Sequence, residues 1–371
     1  MGVLAAEIDD GHPVVLGAGR HGAASLPWFV LDFHPRPGFV DQAMIRVLVA
    51  YSPTRLGRDK AGRPRLEQHI LSTVADVTGA LKEAGYRVET AALGRDPRRF
   101  LAVARRFRPK VVFNLCEGVA GAADLEKNAA ALFELVRLRC TGNGCLALAV
   151  CLEKAMTKRL LRAARIDTPE FLAVPPGQEP EGHPGLPAIV KPALADGSVG
   201  ITARSVVKTQ AALRRRVQHV HRRFRQPALV ERYVAGREFQ VAMVGNQQPE
   251  VLAVAELSYR GLPRSLPRIC SFSAKWNPAS PYYRHTNPLL PAPVPETLRH
   301  RLVTAATRVW HVLGLRGYAR VDFRVRRHRP FVVDVNPNCD ISADAGLARA
   351  ARHAGMTYAQ LCDRIVRLAL E

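Results

Sequence analysis

Aromatic residues make up only 6% of this 371-residue chain, and no apolar run approaches the ~20 residues that cross a bilayer. The longest runs, such as residues 146–152, are much shorter. The seven cysteines form no C-x-x-C pair, which argues against a zinc ribbon, and their odd number argues against a disulfide scaffold. No charged-then-apolar signal segment opens the sequence. We therefore expect a cytoplasmic protein without a membrane partner.

Acidic residues are outnumbered, since 32 Asp and Glu stand against 54 Lys and Arg, and the formal net charge is +22. This balance excludes an acidic solvating protein and is typical of proteins that meet polyanions. The excess is spread along the chain, however, and the aromatic stripe of a single-strand binder is missing. We expect no nucleic-acid partner. A basic helix predicted at residues 210–224 keeps one alternative open, a non-catalytic polyanion-binding protein.

The length and the 47% apolar content predict two or three domains with aliphatic cores. Residues 1–42 are rich in Gly, Pro and His and are interpreted as a weakly ordered extension. Residues 43–150 alternate between strand and helix patterns, which predicts a small doubly wound α/β domain with parallel strands. Ligands of such sheets gather at the carboxyl ends of the strands, here at residues 114–121. The predicted strands are 45–51, 86–92 and 110–115, and the predicted helices are 66–84, 97–107, 124–138 and 153–165.

Beyond residue 169 short β-rich runs predict an antiparallel α+β module, which is followed by a third region of strands and helices. The predicted strands there are 171–174, 188–192, 201–207, 228–233, 238–244, 251–257, 318–325 and 330–335. The predicted helices are 210–224, 296–313, 345–354 and 357–370. Residues 263–295 are Pro-rich and are predicted to form a long mobile loop, and such loops are often lids.

The strongest chemical pattern is Tyr318-Ala-Arg-Val-Asp322-Phe, followed by Phe331-Val-Val-Asp334-Val-Asn336. Adjacent strands place Asp322 and Asp334 at comparable depth, and Asn336 shares the face of Asp334. Two carboxylates and an amide oxygen suit Mg²⁺ that holds substrate phosphates. Arg320 shares the face of Asp322 and can meet a developing anion. The alternative is a charge-paired strand in which Arg320 bridges both aspartates.

Two weaker patterns concern phosphate and nucleoside. Lys191 leaves an apolar strand before the small turn Asp196-Gly-Ser-Val-Gly200, an arrangement that can neutralise phosphate, although such turns are common in hairpins. Glu231 and Glu238 flank exposed backbone and could accept an adenine edge and a ribose hydroxyl. The alternative there is a surface hairpin with solvated glutamates.

In this order the motifs resemble those of an ATP-grasp ligase of the D-alanine–D-alanine ligase branch, from about Met44 to the C-terminus. The segments in register are 112–118, 141–144, 153–154, 190–192, 231–238, 319–322 and 334–336. The resemblance implies an ATP-grasp fold with an N-terminal doubly wound domain at 43–150, a small lid subdomain at 151–246 and a central subdomain at 247–371. It also implies ATP and two Mg²⁺ ions as cofactors, small-molecule carboxylate and amine substrates, and a homodimer.

The resemblance carries roles onto individual positions. Lys154 and Lys191 meet the ATP phosphates, Gly197 and Gly200 belong to the loop that covers them, and Glu231 meets the adenine. The remaining nucleotide contacts are the backbone of Tyr233 and Val234 and the side chain of Glu238 at the ribose. Asp322, Asp334 and Asn336 bind the metal, and Arg320, Lys191 and Ser198 are catalytic. The implied reaction forms an amide through an acyl phosphate and releases ADP and phosphate.

The sequence departs from the branch where the substrates bind. The first turn, residues 52–58, holds no acid, and Asp334 stands where the branch usually has Glu. Asp340 replaces a Gly, which places negative charge beside the acceptor pocket and favours a cationic or amino-bearing acceptor. Candidate substrate residues are Asp340, Ser342, Glu117 and Tyr282. We therefore predict an ATP-dependent carboxylate–amine ligase with altered substrates, and the alternative is a true D-alanine–D-alanine ligase.

Overall fold

The computed structural model describes residues 45–53 and 65–371. The extension predicted at residues 1–42 and most of the turn at 52–58 lie outside the described residues. Within the described ranges, none of the helices has the length and apolar character that a membrane span requires.

The first sheet is parallel and is the predicted doubly wound unit. Its strands are β1 (Arg46–Tyr51), β2 (Arg87–Ala92) and β3 (Val111–Leu115), in the order β2-β1-β3. Helices α1 (Arg65–Glu83) and α2 (Arg98–Phe107) connect them. All of β3 is buried, as expected for a strand covered on both faces. The carboxyl ends of β1 and β3 meet at one edge, where the Ala120 N–H donates to Ser52 Oγ at 3.2 Å.

Three helices lead from this sheet to the next, namely α3 (Glu126–Leu135), α4 (Cys145–Leu152) and α5 (Lys154–Ala163). The patterns at 124–138 and 153–165 predicted the first and the last of these, but α4 was noted only as an apolar run. The helical conformation is interrupted at Glu153, which has a φ of −82° and a ψ of 86°. Helix α4 ends before this residue and α5 begins after it. Lys154 is therefore the first residue of α5, and its N–H donates to the Ala193 carbonyl at 3.2 Å.

The second sheet is antiparallel and carries α6 (Gln210–Phe224) on one face. Its strands are β4 (Phe171–Val174), β5 (Ala188–Pro192), β6 (Val206–Val207) and β7 (Ala228–Arg232), in the order β4-β7-β5-β6. The strand predicted at 201–207 is wrong over most of its length. Residues 203–205 form a 3₁₀ turn instead, because the Thr202 N–H donates to Ser205 Oγ and the Ser205 N–H to the Thr202 carbonyl.

The third sheet has five antiparallel strands in the order β10-β9-β8-β11-β12. They are β8 (Arg237–Gly245), β9 (Glu250–Ser258), β10 (Asn287–Leu289), β11 (Gly317–Arg326) and β12 (Arg329–Asn336). The predicted division at residue 246 groups β8 with the second sheet, whereas by hydrogen bonding β8 lies between β9 and β11. Helix α9 (Glu296–Val312) packs on this sheet, and α10 (Gly346–His353) and α11 (Tyr358–Leu370) also contact it.

The segment predicted as a long loop at 263–295 contains short regular elements. It contains α7 (Phe272–Trp276), α8 (Pro281–His285) and strand β10. Ile269 and Tyr282 are buried in a small cluster with Ile189 of β5. The apolar residues that form this cluster follow no helical or strand period, so the sequence pattern did not reveal it.

Candidate active site

Two hydrogen-bonded strands, β11 and β12, position the central polar residues. Asp322 pairs in register with Asp334, and Arg320 pairs with Asn336. Directly opposed residues of an antiparallel pair share a face, with Cβ atoms about 5 Å apart. The predicted common depth of the two aspartates is therefore confirmed.

These residues line a cleft of about 800 Å³, measured out to its open mouth, between the second and third sheets. Residues from β5, from the β7–β8 connection, from β11 and β12 and from the segment at 269–275 contribute to its wall. The predicted site residues that line it are Lys191, Gly197, Ser198, Glu231, Tyr233, Val234, Glu238, Arg320, Asp322, Asp334 and Asn336. The structure thus brings together most of the residues proposed for nucleotide and metal.

Arg320 and Asp322 form a two-pronged ion pair. Arg320 Nε donates to Asp322 Oδ1 at 2.7 Å, and Nη2 donates to Oδ2 at 2.9 Å. Burial alone lowers the pKa of Arg320, but the adjacent carboxylate outweighs it and the pKa is raised. The charge-paired alternative expected Arg320 to bridge both aspartates, and this is not what the structure has, because Asp334 is bonded to a lysine.

That lysine is Lys154, whose Nζ donates to Asp334 Oδ1 at 2.8 Å and to Asp196 Oδ1 at 3.0 Å. Its side chain is only 7% exposed. Burial lowers the pKa of the ammonium, yet the two carboxylates together raise it, so Lys154 stays charged. Lys154 therefore joins the turn at 196–200 to strand β12.

Glu231 lies almost wholly buried between two lysines, Lys158 and Lys191. Lys158 Nζ also donates to Thr168 Oγ1 at 2.5 Å, and that hydroxyl donates to the Val332 carbonyl at 2.8 Å. Burial by itself raises the pKa of Glu231, but the two ammonium groups outweigh burial and hold the pKa low. The alternative of a hairpin with solvated glutamates is wrong here.

Sequence reasoning missed Lys158, although one signal was available. Lys158 follows Lys154 by four residues at the start of a predicted helix, and residues four apart share a helix face. Burial lowers the pKa of Lys158, and the nearby Lys191 adds to this. Lys191 and Glu231 line the cleft, and Lys158 is the second buried cation bonded to Glu231.

Glu238 is held by Arg324, which was also missed. Glu238 Oε2 accepts from Arg324 Nη1 at 2.6 Å and from the Tyr259 hydroxyl at 2.7 Å. Arg324 follows Asp322 by two residues on β11 and so shares its face. The alternation of Arg320, Asp322 and Arg324 on one strand face was the signal that could have found it.

The turn at 196–200 contacts the segment at 269–275. Ser198 has a φ of 61°, and its Oγ donates to the Cys270 carbonyl at 2.9 Å. Gly200 has a φ of 74°, and a Cβ there would lie 2.7 Å from Pro192 Cγ, so glycine is required. The hydrogen bond from Ser198 to Cys270 closes one side of the cleft.

The predicted substrate residues do not line this cleft. Tyr282 is buried in the small cluster of the 263–295 segment, and its hydroxyl donates to the Pro267 carbonyl at 2.9 Å, so it is a packing residue. Asp340 Oδ1 accepts from the N–H and the hydroxyl of Ser342 at 2.9 and 2.6 Å, which forms the turn after β12. Glu117 follows β3 and is exposed.

A further carboxylate, Glu126, lies between these regions and was missed. Asn338 Nδ2 donates to Glu126 Oε1 at 2.6 Å, and the Tyr318 hydroxyl donates to Asn338 Oδ1 at 2.7 Å. Burial raises the pKa of Glu126 to about 8, with help from the charges of Asp196 and Glu117. No sequence pattern marks it, because its partners are more than two hundred residues away in the chain.

The donor set at β11 and β12 is sparse in metal ligands. Among the described residues no group of three His, Cys, Asp or Glu side chains is placed to hold a metal ion. Asp322, Asp334 and Asn336 are hard oxygen donors, and Mg²⁺ is commonly bound by one or two carboxylates together with substrate phosphates. The set therefore fits Mg²⁺ that arrives with a nucleotide.

Comparisons with known proteins show the family of this chain. Residues 174–367 match the family model for the D-ala D-ala ligase C-terminus. A D-alanine–D-alanine ligase of Moorella thermoacetica is 31% identical over 84% of this chain and 97% of its own length. An uncharacterized protein of Sinorhizobium fredii, y4sG, is 30% identical over 80% of this chain and 87% of its own length.

The fold is also similar to that of solved structures. The crystal structure of a D-alanine–D-alanine ligase from Bacillus anthracis complexed with ATP aligns with a TM-score of 0.69 over 88% of this chain and 97% of that one, at 18% identity. The chain therefore belongs to the D-alanine–D-alanine ligase branch of the ATP-grasp family, the ADP-forming carbon–nitrogen ligases.

Proposed function

We propose that this protein is an ATP-dependent carboxylate–amine ligase that forms an amide through an acyl phosphate. The observation that carries the proposal is the register of β11 and β12, which sets Arg320, Asp322, Asp334 and Asn336 on one wall of one cleft. Lys191, Gly197 and Ser198 line the same cleft.

The nucleotide occupies the cleft with its phosphates toward the lysines. Lys154 and Lys191 neutralise phosphate oxygens, and the turn at 197–200 covers the phosphates. Asp322, Asp334 and Asn336 hold Mg²⁺ ions, which supply charge neutralisation at the phosphates. Both aspartates are already bonded to cations, Asp322 to Arg320 and Asp334 to Lys154. Their negative charges are therefore balanced before a ligand binds.

The chemistry proceeds in two steps. A substrate carboxylate oxygen attacks the γ-phosphorus, the bond from that phosphorus to the ADP oxygen breaks, and an acyl phosphate forms. An amine then attacks the carbonyl carbon, loses a proton, and expels phosphate to leave an amide. Arg320 stabilises the oxyanion of the tetrahedral intermediate, and catalysis is mainly positioning and charge neutralisation.

The acceptor is inferred to be cationic or to bear an amino group. Asp340 places a carboxylate in the turn after β12, and the exposed Glu117 after β3 adds a second negative charge. This favours a positively charged acceptor over the free carboxylate of a plain amino acid.

A second candidate is a true D-alanine–D-alanine ligase. It is favoured by relatives of that name, one of which is 31% identical over 84% of this chain. At this identity the substrate-binding positions can differ while the nucleotide site is retained, so the name alone does not decide between the two.

Release of ADP and phosphate by the purified protein with Mg²⁺-ATP tests both candidates. The panel contains D- and L-amino acids, small di-acids and amines, singly and in pairs. Release with D-alanine alone supports the second candidate and contradicts the argument from Asp340. Release only with another carboxylate–amine pair supports the first. Absence of release across the panel, with nucleotide binding intact, contradicts both candidates for the compounds used.

A further inference from the structure

Arg324 makes more structural contacts than the residues expected to bind nucleotide. It lies on β11, lines the cleft, and is 5% exposed. Its Nη1 donates to Glu238 Oε2 at 2.6 Å, and its Nε donates to the Val234 carbonyl at 3.0 Å. One guanidinium thus fixes a carboxylate and a backbone segment that are both expected at the nucleoside.

The same guanidinium reaches the 263–295 segment. Arg324 Nη1 also donates to the Arg268 carbonyl at 2.9 Å, and Nη2 donates to the Tyr233 hydroxyl at 3.2 Å. The Tyr233 hydroxyl in turn donates to the same Arg268 carbonyl at 2.9 Å. Residues 269 and 270, directly after Arg268, line the cleft. The nucleoside wall and the segment that covers it are therefore joined at one point.

The hydrogen bonds also determine which oxygen of Glu238 remains for a ligand. Arg324 and Tyr259 both donate to Oε2, so a ribose hydroxyl is left with Oε1. Hydrogen bonds to charged groups are stronger than those between neutral groups when they are well aligned. Alignment depends on a fixed carboxylate, and the guanidinium fork is rigid where a lysine or methionine is not.

We propose that Arg324 is a positioning residue that couples ribose recognition by Glu238 to the placement of the covering segment at 263–295. This rests on the proposed function, because it assumes that the cleft takes a nucleotide. Arg324 needs no contact with the ligand. It holds Glu238 toward the ribose and anchors the Arg268 carbonyl, and each contact reinforces the other.

The first measurement is nucleotide selectivity by calorimetry, with ATP, 2′-deoxyATP and 3′-deoxyATP as probes. Wild type should bind ATP about tenfold more tightly than at least one deoxy analogue, which corresponds to one hydrogen bond to a charged group. Arg324→Met and Glu238→Gln should each reduce that ratio to about threefold or less, and the double variant should reduce it no further. Arg326→Met is the matched control, since Arg326 lies two residues on in the same strand and is exposed.

The second measurement is trypsin cleavage within residues 264–275. Arg324→Met should be cleaved several times faster there than wild type, and Arg326→Met should not. Arg324→Lys keeps a cation beside Glu238 but lacks the fork, so it should lose part of the selectivity and should also be cleaved faster than wild type. This variant keeps the test decisive even if Arg324→Met folds poorly.

The outcomes separate this inference from the proposed function. Selectivity lost in Glu238→Gln but kept in Arg324→Met overturns the positioning role, and unchanged cleavage in every Arg324 variant overturns the coupling. Equal binding of all three nucleotides by wild type overturns the ribose assignment and the inference with it. Because these measurements need no ligase substrate, a failure of the ligase assay leaves their result unaffected.

Discussion

The proposed nucleotide side, around Asp322, Glu231 and Glu238, and the proposed acceptor side, around Glu126 and Asp340, hold their carboxylates in different ways. On the nucleotide side Asp322, Glu231 and Glu238 are each bonded to a buried cation. On the acceptor side Glu126 accepts from the amide of Asn338, and Asp340 accepts from Ser342.

The difference is visible in the pKa values. Two ammonium groups hold the pKa of Glu231 low in spite of its burial, whereas burial raises the pKa of Glu126 to about 8. The carboxylates of the proposed nucleotide side are thus compensated by cations before a ligand binds, whereas burial keeps Glu126 protonated at neutral pH.

The largest effect is expected where the two sides meet. Arg320→Ala should lower ADP release by about 10²–10³-fold, because a preorganised donor to the oxyanion is lost. Asp322→Ala should be at least as severe. Folding should be retained in both, as judged by circular dichroism and thermal unfolding. Undiminished turnover in either variant contradicts the placement of the reaction at β11 and β12, and Arg326→Ala serves as the control.

The next effect tests whether the nucleotide side depends on its buried cations. Lys158→Met leaves Glu231 with one ammonium partner, and breaking a buried ion pair destabilises by about 3–5 kcal/mol. Urea unfolding measures the loss of stability. ATP binding should weaken as well, because Glu231 without Lys158 no longer holds Lys191 in a fixed position.

Arg159→Met removes the same charge from the neighbouring position of α5, where the side chain is 57% exposed. It should change the free energy of unfolding by about 0.5 kcal/mol or less. Equal effects of the two substitutions would show that Lys158 has no special role.

A smaller effect addresses the acceptor side alone. Asp340→Asn keeps an oxygen for the two bonds from Ser342 but removes the negative charge. We expect about a tenfold loss in kcat/KM for a cationic acceptor, about 1.4 kcal/mol, with KM for ATP unchanged. Asp344→Asn, four residues on and exposed, is the control. A loss that falls on ATP instead of the acceptor argues against the division into two sides.

The smallest effect is a pH dependence of stability. The pKa of Glu126 is about 8 in the folded chain, against 4.5 ordinarily, so folding favours its protonated form. Its contribution to stability is therefore complete below pH 4.5 and is lost as the pH rises through 8. Glu126→Gln should unfold at a temperature a few degrees higher than wild type at pH 9, and the difference should vanish near pH 5. A difference in unfolding temperature that stays constant from pH 5 to pH 9 excludes the ionisation of Glu126 as the cause of the pH dependence.

Much of the fold could be predicted from local patterns. The strands at 171–174 and 188–192 and the helix at 210–224 have the predicted bounds. The strand predicted at 201–207 and the loop at 263–295 were misjudged because local hydrogen bonds at Thr202 and long-range packing of Tyr282 decide those segments. Neither contact has a periodic signature.

The sequence by itself determined the alternation that puts Arg320, Asp322 and Arg324 on one face of a strand, because side chains alternate with a period of two. It also predicted that this strand lies next to the strand of Asp334 and Asn336. Which cation meets which carboxylate was decided only by the tertiary structure. Lys154 and Asp334 are 180 residues apart in the chain, and Arg324 and Glu238 are 86 apart. A buried charge is costly unless it is paired, so each of these groups has a partner of opposite charge. The spacing along the chain does not show which partners the fold brings close.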